Sequence, residues 1–461
     1  MMAELTLDVR KNSLIGPNGS QSIDLGAVAR IKRLDAYSPE QSVAVNIGKE
    51  TRITGLDAGE YEIQVHLPSG AVISQEVVIK RGLSKPVEFD ATGAPEDFLG
   101  WQHLAGAVLS RNAALMAIDK LSNLDHDVST ERFTAEDSDR EVTYRAVSGR
   151  SSSKPSVLMI RSPNSRQDPL VNRTKVKAVW KALSQGVAGK VKPVTMVGGF
   201  FQDRVPVKAQ ASGREIWQFG LADGDFDTLR PPRTYVLVAT DDTFELACLP
   251  LPWQIELFDQ KWRSTEFVDV LVDNTAQIKP VRTSIMVRDQ KYAGLVGFMN
   301  NGALGLANEL LRSDGVVVET ALDLLEQKAR NPLGACAAAY VLLSTSSFGE
   351  AEQQSWFTWI ENLGTNPLYG WIPDAAIIYA RVKLMGAECE AQAREAIPYL
   401  HLALRGGLPF YSLGLTWLIE TMTHFRDSDP LIKSLFKEVD SVARYLDVNQ
   451  AFLVLKFGAT R

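Results

Sequence analysis

The sequence predicts a multidomain protein of the β-plus-α kind: an N-terminal β-sandwich, a second β-rich domain and a C-terminal α-solenoid of helix hairpins. Three observations carry that prediction. Apolar residues at the start of the chain alternate with polar ones, the period of a half-buried strand. Strand-like runs return in the middle of the chain after a polar interval. From about residue 300 onward the apolar residues recur with the period of a helix. The length of 461 residues suits this division, at about 150 residues per domain.

Residues 1–92 read as the sandwich. Leu5, Leu7 and Val9 alternate with polar neighbours, as do Val43, Val45 and Ile47, and then Tyr61, Ile63, Val65 and Leu67. Gly16-Pro17-Asn18-Gly19 and Asp57-Ala58-Gly59 supply turns. Pro68-Ser69-Gly70, between two strand-like runs, suits a hairpin. The passage Ile53-Thr54-Gly55-Leu56-Asp57-Ala58-Gly59-Glu60-Tyr61-Glu62-Ile63, followed by Val77-Val78-Ile79 and Gly82, resembles the GLxAGxY turn of carboxypeptidase-regulatory-like and related Ig-like sandwiches. The resemblance implies a tight turn at the Gly, a core strand beginning at the Tyr, and a non-catalytic module.

Residues 93–122 read as a connecting helix. Glu96 and Asp97 lie in its first turn, where the helix dipole favours them. Phe98, Trp101, Leu104, Val108 and Leu115 recur at helical spacing. Residues 123–170 are polar, Ser-rich and without period, and so read as flexible loops open to proteases, interrupted by the β-like run Val157 to Ile160. Residues 171–297 read as the second β-rich domain. Tyr235 to Val238, Phe244 to Leu246, Val268 to Val272 and Thr283 to Val287 are its strands, and Pro231-Pro232 and Gly224 mark turns. Lys175 to Leu183 is read as a short attached helix with Val176, Val179, Trp180 and Leu183 on one face.

Residues 298–461 read as helical repeats. Val317, Val318, Ala321, Leu324 and Leu325 form one stripe at helical spacing, and Leu431, Ile432, Leu435, Phe436 and Val439 another. Between them Pro332, Pro373 and Pro409 each open a helix rich in small or apolar residues, and they are spaced by 41 and 36 residues. Tyr340, Tyr379 and Trp417 hold similar places in these helices, 39 and 38 residues apart. Each is followed by a more charged helix: Glu350 to Asn362, Glu390 to Leu404, and Asp429 to Leu446. Helix pairs at this period resemble tetratricopeptide-like repeats, although no unit carries the full consensus of that family. The final run, Ala451 to Phe457, reads as a cap on the array.

Composition narrows the chemistry. Apolar residues make up 45% of the chain, charged residues 23%, and the net charge is −6, so no overall basic field draws nucleic acid or an anionic membrane. Cys248, Cys336 and Cys389 are too few and too scattered for a disulfide framework, which fits a reducing compartment. The N-terminus shows no apolar secretory signal, and the longest apolar stretch, Phe98 to Leu109, is too short to span a membrane. These features predict a cytoplasmic protein with no membrane partner.

No catalytic motif emerges. Ser148 to Lys154 lacks the glycine pair and the Gly-Lys-Ser/Thr of a phosphate loop, and Gly294, Gly297, Gly302 and Gly305 do not form a dinucleotide fingerprint; close packing is their favoured use. His103 beside the first apolar helix reads as a core histidine, and Asp125-His126-Asp127 as a solvated turn rather than a metal site. The three cysteines read as packed small hydrophobes. Arg173, Lys175, Lys177, Lys181, Lys190 and Lys192 surround Trp180, a combination that could contact nucleic acid, but the apolar face of that helix claims the Trp.

The expected function is therefore non-enzymatic: a scaffold or adaptor that binds another protein through its helical repeats, with no cofactor and no metal. Trp356, Trp359, Trp371, Tyr379, Tyr411 and Trp417 are the candidate partner-binding residues, since Trp and Tyr dominate binding hot spots. Two alternatives stand beside it. The chain could be a regulatory companion or cleavable substrate of a caspase-like peptidase in a bacterial defence system, cut in its 122–170 loops. It could also be a hydrolase using His103 or His126.

Overall fold

The computed structural model describes residues 3–10, 25–68, 70–81, 84–90, 129–131, 156–161, 180–181, 207–211, 214–219, 233–239, 244–258, 261–264, 268–273, 282–287, 289–312, 330–354 and 356–457. The predicted connecting helix at 93–122, most of the 123–170 loops, His103, His126 and the stripe at 317–325 lie outside these residues. The described residues fall into two compact units, one drawn from 1–128 and 286–324, the other from 129–285 and 325–461.

In the first unit, strands β1 (Ala3–Arg10), β4 (Glu50–Leu56) and β7 (Ser84–Asp90) form one sheet in the order β4-β1-β7. Strands β2 (Leu25–Arg33), β3 (Gln41–Ile47), β5 (Gly59–His66) and β6 (Val72–Ile79) form a second sheet in the order β3-β2-β5-β6. The alternation read from the sequence is the reason they face one another. Leu5, Leu7, Val9, Val87 and Phe89 from one sheet and Ala27, Ala29, Val45, Ile63 and Val65 from the other share a single core. Pairing is antiparallel except between β1 and β7, which run parallel. The hairpin expected at Pro68-Ser69-Gly70 joins β5 to β6, with the Leu67 amide donating to the Ala71 carbonyl and Gly70 at a φ of 89°.

Helices α1 (Gln290–Asn300) and α2 (Leu304–Arg312) also belong to this unit and pack against β2, α2 reaching β3 as well. They account for Val28 and Ala44, which are buried although their neighbours in sequence fill the sandwich core. Two glycines set the distance. A Cβ on Gly294 would meet the Gly26 carbonyl at 3.0 Å, and one on Gly297 would meet Pro68 at 2.6 Å. The Asn301 side chain ties the end of α1 to the hairpin by donating to the Pro68 carbonyl at 2.7 Å.

In the second unit, β8 (Ser129–Glu131), β10 (Val207–Ala211), β11 (Arg214–Phe219), β16 (Val268–Asp273) and β17 (Arg282–Val287) make a sheet in the order β17-β16-β11-β10-β8. A second sheet, in the order β18-β13-β12-β9, contains β9 (Ser156–Arg161), β12 (Thr234–Ala239), β13 (Phe244–Leu249) and β18 (Val454–Phe457). Strands β14 (Ile255–Phe258) and β15 (Lys261–Ser264) form a separate hairpin. Thr234–Val238 and Glu245–Leu249 are buried without alternation, so this part of the second sheet is covered on both faces.

The rest of the second unit is mainly helical. Its helices are α3 (Pro332–Thr345), α4 (Phe348–Glu352), α5 (Phe357–Thr365), α6 (Pro373–Met385), α7 (Glu390–Ala393), α8 (Ile397–Gly406), α9 (Ser412–Phe425) and α10 (Pro430–Ala443). Pro332, Pro373 and Pro430 occupy first helical positions, where no amide is missed. Helix α6 packs against α3, α5, α8 and α9, and the α3 and α6 segments Pro332 to Leu343 and Pro373 to Ala380 are buried all round. Small side chains make that possible.

Three details differ from the sequence reading. The charged partner helices are broken: 350–362 divides into α4 and α5, and 390–404 into α7, a 3-10 turn (Arg394–Ala396) and α8. Pro398, with no amide to donate, sits in the first turn of α8. The helix expected from Pro409 starts at Ser412, because Tyr411 is extended and the Phe410 and Tyr411 amides bond to Asp374. The final apolar run, read as a cap on the helical array, contains β18, which joins the sheet beside β13. No helix among the described residues is long and apolar enough to cross a membrane.

Replacing Gly297 by Val drives two branches into Pro68 and costs about 1–3 kcal/mol of stability, whereas Gly305→Ala, with nothing within 4 Å of the new Cβ, leaves stability unchanged or slightly raised. Urea denaturation of the two variants beside the parent checks this.

Candidate functional site

The helical part of the second unit is organised around one buried carboxylate. Asp374 lies in the first turn of α6 and is fully buried. Its Oδ2 accepts from the Phe410 amide at 2.7 Å, and its Oδ1 accepts from the Tyr411 amide at 3.2 Å and the Tyr340 hydroxyl at 2.9 Å. The Tyr411 hydroxyl donates to the Leu333 carbonyl at 2.7 Å. One side chain thus ties α3 and α6 to the segment before α9. Burial pushes the Asp374 carboxyl above the usual range, and the amides, the Tyr340 hydroxyl and the Arg233 guanidinium offset only part of that.

Arg233 completes the cluster. Its Nη2 donates to the Leu408 carbonyl and to Cys248 Sγ, and its guanidinium lies 3.9 Å from the centroid of the Phe410 ring. Burial pushes Tyr235 up to about 12 and Cys248 up to about 11, with Arg233 opposing both. Burial also raises the Cys336 thiol well above its ordinary value. Both thiols stay protonated at neutral pH and behave as core residues.

The six aromatic candidates divide by place. Tyr411 is fully buried, with its ring 5.5 Å from Tyr340 and 5.1 Å from Phe452. Trp417 stacks edge-on with Tyr340 at 5.0 Å, and Trp371 edge-on with Phe410 at 5.9 Å. These three therefore gather around Asp374. Tyr379 packs edge-on against Tyr399 at 4.6 Å, and Trp356 lies tilted against Phe357 of α5 at 6.5 Å. Trp359 is partly buried, while the other five are buried. Two of the buried rings carry a cation near the surface: Arg381 lies 5.7 Å from the Trp417 ring and pairs with Glu420 at 3.2 Å, and Lys383 lies 5.4 Å from the Tyr379 ring and pairs with Glu395 at 3.2 Å.

Trp180, from the basic stretch, is fully buried and donates to the Leu404 carbonyl at 3.1 Å, while Lys181 is exposed. The other basic residues of that stretch, and Asp125-His126-Asp127, lie outside the described residues. Among the described residues no group of three or more His, Cys, Asp or Glu side chains is placed to hold a metal ion.

Sequence reasoning missed one pair of the type used in acid–base chemistry. His401 on α8 places Nε2 3.0 Å from Asp429 Oδ1. The same Asp429 oxygen caps α10 by accepting from the Leu431 and Ile432 amides, each at 2.9 Å. Burial opposes ionisation of Asp429, but the two amides and the imidazole outweigh it and hold the carboxyl below its usual range. The Asp-Pro start of α10 is legible as a cap; its imidazole partner, 28 residues earlier, is not.

Residues 294–459 match the family model described as the Y4kD C-terminal domain. The match begins within α1 and ends just past β18. No curated protein and no solved structure matches the chain.

Asp374→Ala leaves two buried amides and a tyrosine hydroxyl without their acceptor and destabilises the protein by about 3 kcal/mol or more, read by urea denaturation. Asp429→Ala costs about 1 kcal/mol at pH 7. Because the folded carboxyl titrates below its unfolded value of about 3.9, the ionic part of that stabilisation is present above the unfolded value and disappears as the pH falls through the folded one. Urea titrations at pH 7 and pH 3 therefore find the parent and the variant closer together in acid.

Proposed function

We propose that this chain is a non-enzymatic scaffold that binds a protein partner along the row of first helices α3, α6 and α9. The observation that carries this reading is the pair of cation-covered aromatics, Arg381 on Trp417 and Lys383 on Tyr379, set on neighbouring first helices. Arg, Trp and Tyr are the residue types that dominate binding hot spots. A buried ring fixes the cation above it, so the surface is presented with little ordering cost.

Stacked helix pairs support the tetratricopeptide-like form of the reading. The α6 helix touches the first helix before it and the one after it, as in an α-solenoid. Gly55 at a φ of 85° and the bond from the Tyr61 hydroxyl to the Asp57 carbonyl support a carboxypeptidase-regulatory-like or Ig-like assignment for the sandwich. Free cysteines, two buried and one exposed, favour work in the cytoplasm.

The test is affinity capture from the native host with the full chain and with an Arg381→Glu/Lys383→Glu variant whose thermal stability matches the parent. A partner captured by the parent and held about ten-fold or more weakly by the variant supports the reading. The absence of any stable partner, or equal capture by both proteins, overturns it.

A further inference from the structure

The C-terminal strand is held from both sides. Glu245 to Ala247 of β13 face Val454 to Lys456 of β18 on one side, and on the other the Asp447 amide donates to the Val454 carbonyl and the Lys456 amide to the Tyr445 carbonyl. Just before β18, the Leu453 amide donates to the Phe410 carbonyl and the Ser412 amide to the Ala451 carbonyl. The strand thereby joins the sheet to the corner from which α9 starts.

An unbalanced charge sits beside it. Glu245 and Lys456 are directly opposite in the β13–β18 register. The Lys456 ammonium lies 2.9 Å from Asp447 Oδ2 and 3.8 Å from Glu245 Oε1, so Asp447 holds it. Glu245 is 3% exposed, Asp447 8% and Thr283 1%. The hydroxyl and amide of Thr283 on β17 face Glu245 and favour its ionised form, but the alignment is poor, and neither Glu245 oxygen nor Asp447 Oδ2 closes a well-aligned hydrogen bond. One ammonium is thus shared by two buried carboxylates, and among the described residues no second cation is paired with Glu245.

We propose that Glu245 is a proton-operated latch on the C-terminal strand: protonated, it lies quietly under β18; ionised, it competes with Asp447 for Lys456 and loosens the strand. A buried carboxylate without its own counter-ion is costly, while the neutral acid is tolerated. The direction of titration agrees. Burial raises the Glu245 carboxyl, with Thr283 and Lys456 opposing. A group raised on folding contributes stability that is fully present below its unfolded value, about 4.3, and lost as the pH rises through the folded value.

Hydrogen exchange of residues 451–457 in the full chain, corrected for the intrinsic pH dependence of exchange, tests this between pH 4 and pH 9. The parent loses about ten-fold or more of its protection in this segment as the pH rises, and Glu245→Gln, which keeps the shape without the charge, does not. Asp447→Asn frees Lys456 for Glu245 and flattens the profile in the same way, while its Oδ1 can still accept from the Asn449 amide. A parent profile that is flat across the range, or a Glu245→Gln profile with the parent's slope, overturns the proposal.

Discussion

Three consecutive peptide groups, at Phe410, Tyr411 and Ser412, set the plan of the second unit. They lie in the interior at the entry to α9. The Tyr411 and Ser412 carbonyls are taken locally by the Gly414 amide and the Thr416 hydroxyl, but the three amides and the Phe410 carbonyl have no partner within the helix. The protein satisfies them from two distant places. The Asp374 carboxylate takes the first two amides, and the C-terminal segment takes the Phe410 carbonyl and the Ser412 amide. Helix α6 and the end of the chain must both arrive before that corner can be buried.

The same corner explains why aromatic residues gather there. Tyr340, Tyr411, Trp417 and Phe452 pack edge-on or tilted, as Phe410 does edge-on with Trp371, and the Tyr340 and Tyr411 hydroxyls reach buried acceptors. Trp and Tyr are common both in cores and in binding hot spots, and spacing along a helix does not separate the two uses. Here burial places Trp371, Tyr411 and Trp417 around Asp374. What remains near the surface is a cation resting on a ring, a different kind of feature from an exposed Trp.

The family match and the architecture divide the chain differently. The matched residues 294–459 include the end of α1, which packs on the first sandwich, and β18, which completes a sheet whose other strands precede the match. A sequence domain can thus end within sheets and helix pairs that need other parts of the chain. Gly294 and Gly297 show the point locally: they are small because a strand and a hairpin from the N-terminal part approach them.

Local periodicity by itself determined strands β1, β3 and β5 of the sandwich, the hairpin at Pro68, and the starts of α3 and α6 at Pro332 and Pro373, because each depends on which face is apolar or on where a peptide group can do without a partner. Tertiary structure decided the rest. Residues 454–457 became a strand because β13 offered an open edge, and residues 451–453 just before it bond to the Phe410 carbonyl and the Ser412 amide. Asp374 became the tie of the helices because Tyr340 and Tyr411, separated from it by 34 and 37 residues, arrive at the same place. A hydrogen bond between groups so far apart is fixed by packing, and no local pattern of residues encodes it.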